Sequence, residues 1–193
     1  WFRGDIMKEF YLMRHGQTLF NLQHKIQGWC DSPLTKEGIS QAQIVKSYFQ
    51  DNNITFDHAY SSTSERCCDT LEIITDMPYT RLKALKEMYY GFLEGESEDL
   101  NAKTPQDCET FYMYFGGESS NDVKDRMLQT LTDIMEKDDH ESVLAVSHSG
   151  ACFNFLRAIQ DPTEELKKGF PNCCIFIFEY NEQFELKKVI RHL

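Results

Sequence analysis

The sequence predicts an α/β sandwich in which a mostly parallel central sheet is flanked by helices. Short apolar runs typical of buried strands alternate along the chain with longer segments whose apolar residues recur every three to four positions. The chain has 193 residues, of which 41% are hydrophobic and 26% are charged. This length and composition suit one globular domain with its own core.

Four segments are predicted as strands because they are short, rich in branched and aromatic residues, and bounded by turn residues. They are residues 9–13, 54–61, 142–147 and 174–180. The first and third each end at a histidine that is followed by glycine within two residues. Residues 184–189 follow a turn at Asn181 and are predicted to form a hairpin with the run before them.

Four amphipathic helices are predicted between these strands. Residues 35–51 carry an apolar stripe behind a Thr cap, and residues 123–135 carry a second stripe. Ser62 and Glu65 have the spacing of a capping box, so a further helix is expected to begin there and run towards Pro78. Residues 151–159 are predicted as a well-buried helix.

Residues 91–117 have no clean period and combine polar, glycine and aromatic positions. We interpret them as an inserted helical or loop segment that serves as a lid and discriminates between substrates. The aromatic residues in and beside this segment either form a wall of the ligand pocket or pack the segment internally. They are Tyr89, Tyr90, Phe92, Phe111, Tyr112, Tyr114 and Phe115.

Acidic residues outnumber basic ones by 31 to 20, which gives a formal net charge of −11. Such a field repels nucleic acid and anionic lipid, so neither is an expected partner. The longest apolar run, residues 173–178, is far shorter than the roughly 20 residues that span a bilayer. An anionic ligand would have to be bound by a few local cations.

The seven cysteines show no C-x-x-C spacing, and we expect no secretory leader before the domain. We therefore expect reduced thiols in a cytoplasmic protein. Residues 1–6 are expected to be an appended remnant before a native start at Met7, which leaves residues 7–193 as a single domain.

Arginines and histidines follow the predicted strands directly or lie at the start of the next helix. In an α/β sheet the carboxyl ends of parallel strands lie at one edge, so these residues are expected to lie near one another. Arg14 and His15 follow the first predicted strand. Arg66 lies in the first turn of the helix that follows the second predicted strand, and His148 and Ser149 follow the strand at residues 142–147. Ligands of open α/β sheets bind beyond the carboxyl ends of the strands. We therefore expect two arginines and two histidines to meet at one site.

This set of residues suits a phosphoryl group. Guanidinium groups match its charged oxygens bidentately, a neutral imidazole is a competent nucleophile at phosphorus, and a second imidazole can donate to the equatorial oxygens. The leaving alkoxide needs a proton, for which Glu87 is the candidate if burial or a phosphate neighbour raises its pKa. Glu94 is the rival acid.

Other site classes find no support in the sequence. It contains no phosphate-binding P-loop, dinucleotide fingerprint, G-x-S-x-G elbow or H-E-x-x-H motif, and no metal site is predicted. The remaining histidines are assigned structural roles. They are His24, His58, His140 and His192.

Linked motifs resemble the phosphoglycerate mutase-like branch of the histidine phosphatase superfamily. The run LMRHGQT at residues 12–18, with Asn21, Gln27, Gly28 and Trp29, is similar to its opening signature. Further similar motifs follow in the order of that branch: DSPLTKEG (31–38), YSSTSER (60–66), EMYYGFLEG (87–95), GGES (116–119) and VSHSG (146–150). The resemblance spans roughly residues 8–157.

The resemblance implies a three-layer α/β fold and metal-free phosphoryl transfer through a phosphohistidine on His15. It further implies Glu87 as proton donor, and Ser149 after His148 distinguishes the chain from the acid phosphatase branch, which has an Asp there. The implied phosphate pocket comprises Arg14, Arg66 and His148, lined by Asn21, Gln27, Gly28 and the backbone of Ser149.

The resemblance leaves two activities to separate. Cofactor-dependent mutases resemble this chain but carry a basic segment after the proton donor, whereas residues 87–118 contain one cation, Lys103, among many acids. We therefore favour a metal-independent, cofactor-free phosphatase acting on a small phosphate monoester. The alternatives are a cofactor-dependent phosphoglycerate mutase and a non-catalytic module that binds a phosphorylated ligand. The particular substrate and the oligomeric state are not predicted.

Overall fold

The computed structural model describes residues 7–193, and the expected remnant at residues 1–6 lies outside the described residues. Within residues 7–193, six strands form one sheet in the order β3-β2-β4-β1-β5-β6. The first four in this order run parallel, and β5 and β6 run antiparallel to their neighbours. The strands are β1 (Lys8–Arg14), β2 (His58–Ser62), β3 (Thr80–Leu82), β4 (Ser142–Ser147), β5 (Ile175–Asn181) and β6 (Gln183–Ile190).

Helices cover both faces of the sheet, which confirms the three-layer α/β fold. Apolar residues of α2 and α3 pack on one face, and those of α4 and α5 pack on the other. None of the helices in residues 7–193 is long and apolar enough to cross a membrane. The helices are α1 (Leu19–Leu22), α2 (Lys36–Asp51), α3 (Glu65–Ile74), α4 (Ser120–Met135), α5 (Ser149–Ile159) and α6 (Thr163–Lys168).

The central strand β1 shows why the predicted strands are apolar throughout. Phe10 and Leu12 point into the core beneath α4 and α5, and Tyr11 and Met13 point into the core beneath α2 and α3. All four are at most 5% exposed. Each such side chain contributes about 1.5–3 kcal/mol by leaving water. Burial on both faces therefore fixes β1 and its neighbour β4 at the centre of the sheet.

Two predictions about the second strand and its helix are wrong. The strand begins at His58 rather than Ile54, because the Asp57 carboxylate accepts the amide hydrogens of Glu141 and Ser142 and so ends the ladder. The capping box is absent as well. Ser62 is the last residue of β2, and the N-cap of α3 is Ser64, whose side chain makes no capping bond.

The remaining predicted elements are confirmed with shifts of a few residues at their ends. Thr35 caps α2 by accepting a hydrogen bond from the amide of Gly38. The predicted hairpin is formed by β5 and β6, with Glu182 in the left-handed region at its turn. All seven cysteines are free thiols, five of them buried.

Residues 86–118, named here the cover segment, contain four short 3-10 helices instead of regular secondary structure. Its aromatic residues differ in burial, and Phe92 and Tyr114 have neither of the two predicted roles. Tyr112 is 3% exposed and packs against Tyr90 and Phe111, whereas Phe92 and Tyr114 are more than 80% exposed. Most of the buried aromatic surface therefore packs the segment internally.

Candidate active site

The carboxyl ends of β1, β2 and β4 bring four predicted residues together. Arg14 ends β1 and His15 follows it, Arg66 lies in the first turn of α3, and His148 is the N-cap of α5. These four residues are named here the strand-end cluster. The cluster adjoins a cavity of about 350 Å³, which Arg14, His15, Glu87 and Ser149 help to line.

His15 is held as a neutral imidazole whose nitrogen lone pair is on Nε2. Its Nδ1–H donates to the Gly16 carbonyl oxygen at 2.7 Å, and its Nε2 accepts from Arg66 Nε at 3.3 Å. Burial lowers the pKa of His15 well below its ordinary value, and the positive charges of Arg66 and Arg14 lower it further. The unprotonated Nε2 at the cavity is therefore a nucleophile at neutral pH.

Arg66 is fully buried and joins the two imidazoles. Its Nη2 donates to the Gly28 carbonyl at 2.8 Å and to His148 Nδ1 at 2.9 Å, and its Nη1 forms an ion pair with Asp31 at 3.0 Å. Gly28 is thus placed to orient Arg66 and does not line the cavity. A Cβ at Gly28 would lie 2.2 Å from the Met88 carbonyl oxygen, so glycine is required there.

His148 is fully buried, with its ring centroid 5.4 Å from that of His15. Its Nδ1 accepts from Arg66, so Nε2 carries the proton and donates to Ser62 Oγ at 2.8 Å. Burial, followed by the charge of Arg66, lowers its pKa well below the ordinary value. The Ser62 hydroxyl can donate or accept, so it supports either tautomer of His148.

Arg14 supplies a half-buried cation with unused hydrogen-bonding capacity. Its Nη1 donates to the Phe170 carbonyl at 2.7 Å, but its buried Nε has no partner among the described residues. A buried guanidinium N–H without an acceptor is unfavourable, and an oxyanion in the adjoining cavity would satisfy it. Arg14 is therefore suited to bind an anion.

Glu87 faces the cavity as a buried carboxyl group, 5% exposed. Its oxygens accept from the amides of Met88 and Gly150, each at 2.8 Å. Burial raises its pKa, although those two bonds and the charges of Arg66 and Arg126 oppose the rise. A Cβ at Gly150 would lie 2.6 Å from Glu87 Oε1, so glycine permits this approach.

Glu94, the rival acid, has a different role in the structure. Its carboxylate accepts from the amides of Gly28, Trp29 and Tyr90, at 3.0, 2.8 and 3.2 Å. These bonds join the loop before α2 to the cover segment. Since Glu94 does not line the cavity, the geometry favours Glu87 as the proton donor.

Three other predicted residues line the cavity. Asn21 Oδ1 accepts from Asn172 Nδ2 at 3.1 Å, and Gln27 Nε2 donates to Thr18 Oγ1 at 2.9 Å, so both amides are held in place. Ser149 is the first residue of α5, whose N-terminal amides favour negative charge. Tyr90, one of the aromatic residues predicted either to form a wall of the pocket or to pack the segment, also lines the cavity. Sequence reasoning missed four further lining residues: Lys25, Ile26, Glu98 and Asn101.

Sequence reasoning also missed Arg126, which fixes the chain around Glu87. Its Nη1 donates to the carbonyls of Ala84 and Lys86 at 2.7 Å, and its Nη2 donates to the Glu87 carbonyl at 3.0 Å. The same guanidinium pairs bidentately with the Glu118 carboxylate. A lone arginine on an amphipathic helix carries no sequence signal that distinguishes it from a surface residue.

The fold and the strand-end cluster define an α/β protein with a buried histidine pair, bridged by an arginine, at the ligand-binding edge of its sheet. Residues 10–190 match the model of the histidine phosphatase superfamily (branch 1). The chain belongs to this superfamily, and this membership supports phosphatase activity.

Solved structures agree with this assignment. Phosphoserine phosphatase from Entamoeba histolytica, in complex with 3-phosphoglyceric acid, is 26% identical with a TM-score of 0.78, covering 94% of this chain and 95% of that one. YhfR from Bacillus stearothermophilus is 28% identical with a TM-score of 0.79 (92% and 94% covered). Phosphoglycerate mutase from Bacillus anthracis str. Sterne is 23% identical with a TM-score of 0.81 (95% and 93% covered) and shares the fold. The predicted resemblance is confirmed.

Proposed function

We propose that this protein is a metal-independent phosphatase that hydrolyses a small phosphate monoester through a phosphohistidine on His15. The observation that carries the proposal is the state of His15. Its proton is on Nδ1, which donates to the Gly16 carbonyl oxygen, and its Nε2 lone pair accepts from Arg66 Nε. The His15 ring lines the cavity. A nucleophile in this state needs no base to activate it.

In the first step His15 Nε2 attacks phosphorus, so that a P–N bond forms as the ester P–O bond breaks. Glu87 gives its proton to the leaving alkoxide oxygen. In the second step the Glu87 carboxylate takes a proton from water as that water attacks phosphorus and the P–N bond breaks. Inorganic phosphate and neutral His15 result, and Glu87 is again protonated.

The charge that develops on the phosphoryl oxygens is stabilised by fixed donors. The unpartnered Nε of Arg14 and the N-terminal amides of α5 at Ser149 supply two of them. Arg66 and His148 supply the others once Arg66 Nη2 exchanges His148 for a phosphoryl oxygen. His148 then donates through Nδ1, with Ser62 donating to its Nε2.

The charge of the cavity favours hydrolysis over mutase chemistry. Lys103, the cation of residues 87–118, donates to the Asp99 carbonyl and does not line the cavity. Among the lining residues, the positive charges belong to Arg14 and Lys25, and Glu98 opposes them. A phosphoglycerate mutase holds two strongly anionic groups, which one lysine beside a carboxylate suits poorly.

The same residues support a substrate class. Lys25 matches a substrate carboxylate, Glu98 matches a substrate ammonium, and the cavity of about 350 Å³ suits a small molecule. We propose phosphorylated amino acids of the phosphoserine type. The name of the Entamoeba phosphoserine phosphatase, 26% identical to this chain, supports this choice.

The test combines a substrate panel with trapping of the intermediate. Phosphoserine, 3-phosphoglycerate and an aryl phosphate are assayed for phosphate release, with and without a bisphosphoglycerate primer and with and without EDTA. We expect release that is fastest with phosphoserine and indifferent to EDTA, and an acid-labile, alkali-stable phosphoenzyme that is absent from His15→Ala. Primer-dependent interconversion of phosphoglycerates would identify a mutase instead, and binding without turnover would identify a binding module.

A further inference from the structure

A second histidine cluster lies at the opposite end of the sheet from the strand-end cluster. His58 is the first residue of β2, and Asp139 and His140 lie in the turn between α4 and β4. Because β2 and β4 are parallel, their amino ends bring these residues together, although they are about 80 positions apart. One potential ligand atom from each of the three lies within 4.8 Å of the other two.

Both imidazoles direct one nitrogen at the same carboxylate. His58 Nε2 is 3.3 Å from Asp139 Oδ2, and His140 Nδ1 is 2.7 Å from Asp139 Oδ1. The two rings are stacked with centroids 3.6 Å apart and an interplanar angle of 10°. Ligand atoms around a tetrahedral Zn²⁺ are roughly 3.3–3.5 Å apart, and the two nitrogen–oxygen distances approach this spacing. Because a metal lies in the plane of each imidazole that binds it, one ring must turn out of the stack for both to bind the same ion.

The opposite nitrogen of each ring is held by a second residue. His58 Nδ1 donates to Asp57 Oδ1 at 2.8 Å, and His140 Nε2 is 2.6 Å from the Tyr60 hydroxyl. Asp57 is itself fixed by the amides of Glu141 and Ser142. Metal-binding histidines characteristically have an outer partner of this kind, which sets the ring orientation. The inner nitrogens contact Asp139, and a metal would replace those direct contacts.

The charge and exposure of the cluster also suit a cation. Two carboxylates, Asp57 and Asp139, face one opposing cation, Lys137, whose Nζ donates to the Tyr60 hydroxyl at 3.1 Å. The Asp139 side chain is 73% exposed, and His140 is 4% exposed. An ion therefore has a path from solvent at Asp139 and a buried inner ligand in His140.

We propose that His58, Asp139 and His140 form a binding site for a divalent transition metal of the zinc class. Two imidazoles and one carboxylate are ligands that Zn²⁺ accepts readily, whereas Mg²⁺ and Ca²⁺ prefer oxygen. The site lies at the amino ends of β2 and β4, at the opposite end of the sheet from the cavity, and takes no part in the phosphoryl transfer proposed above. Its effect is to join the start of β2 to the turn before β4.

The test titrates metal-free protein with Zn²⁺ against a chromophoric chelator. We expect one Zn²⁺ to bind with a micromolar or lower Kd, and Asp139→Asn and His58→Gln to weaken binding at least tenfold. His192→Gln, which replaces an exposed histidine outside the cluster, serves as the matched control and should bind like the wild type. Circular dichroism checks that each variant folds. Because the Asp139 side chain is exposed, Asp139→Asn is the variant expected to disturb folding least.

Two further readouts separate this site from the free thiols and from His15 and His148. Zn²⁺ should shift the imidazole NMR signals of His58 and His140 before those of the other histidines. It should also raise the Tm of the wild type and leave that of Asp139→Asn unchanged, because only a ligand bound to the folded state stabilises it. No binding at 100 µM Zn²⁺, or equal affinity in all variants, would overturn the proposal whatever the enzyme hydrolyses.

Discussion

The strand-end cluster and the cover segment meet across one cavity but are built differently. Cluster residues sit at the ends of strands and in the first turns of helices, and Arg66 and His148 are fully buried. The cover segment consists of short 3-10 helices and leaves Phe92 and Tyr114 almost entirely exposed. Regular elements thus hold the groups that are proposed to act on phosphorus. Irregular chain holds the proposed proton donor, Glu87, and part of the cavity wall.

This difference separates two kinds of requirement. A nucleophile must be held within a few tenths of an ångström of its productive position, and packed strands provide that precision. Substrate choice depends on a surface that can change without disturbing the core. Glu87 belongs to the less regular region yet needs the same precision, and Arg126 supplies it by binding three carbonyls around it.

The largest expected effect comes from removing the nucleophile of the strand-end cluster. His15→Ala should lower kcat/KM by at least about 10⁴-fold, because His15 is the one histidine among the described residues that line the cavity. Steady-state phosphate release measures the loss, and His192→Ala is the control for an exposed histidine. Retention of more than one per cent of the activity in His15→Ala would show that the cluster is not the nucleophilic half of the site.

The next largest effect comes from the proton donor on the cover segment. Glu87→Gln should lower kcat for an alkyl phosphate by about 10²–10⁴-fold, because the alkoxide then leaves without a proton. A nitrophenyl phosphate should lose far less, since its phenolate leaves unaided. Glu96→Gln, an exposed acid in the same segment, is the control. Equal losses with both substrates would mean that Glu87 acts on structure and not on the leaving group.

A smaller effect is expected from loosening the cover segment while Glu87 remains. Arg126→Met keeps the alkyl stem but removes the donors to the carbonyls of Ala84, Lys86 and Glu87, so kcat should fall by about 10–100-fold. Lys124→Met on the same helix is the control.

A purely structural role for Arg126 predicts a different pattern. It would lower the Tm and leave kcat and the pH profile of the folded fraction unchanged. A positioning role also moves the alkaline limb of the profile to higher pH, because the Arg126 charge lowers the pKa of Glu87 in the wild type.

The two regions also differ in how far the sequence predicts them. β1 and β4 are visible as apolar runs that stop at a histidine, so the amino-acid sequence alone places His15 and His148 at the sheet edge. Ser62 cannot be placed in this way, because its S-x-x-E spacing imitates a helix cap, whereas pairing of β2 with β4 makes it a partner of His148. The sequence pattern predicts local geometry, whereas the contact between Ser62 and His148 depends on the order of the strands in the sheet.

The cover segment is less predictable for a related reason. Its 3-10 helices have no hydrophobic period, and its conformation is set by contacts with distant residues such as Arg126, about 40 positions from Glu87. Lys25 and Glu98 meet the cavity from two loops with no motif in either. The position of Glu87 at the cavity is predictable because this carboxylate lies within a recognisable motif. Arg126, Lys25 and Glu98 lie in no such motif.

The smallest change, a shift of pH, tests both regions at once. His15 must be neutral, and its lowered pKa places the acid limb of kcat/KM well below pH 6.5. Glu87 must be protonated, and its raised pKa places the alkaline limb above 4.5, with a bound phosphate raising it further. The rate with an alkyl phosphate should therefore decline by about tenfold per pH unit on the alkaline side, as Glu87 loses its proton. Glu87→Gln should abolish that decline, and if the decline persists, ionisation of the substrate phosphate, not Glu87, sets it.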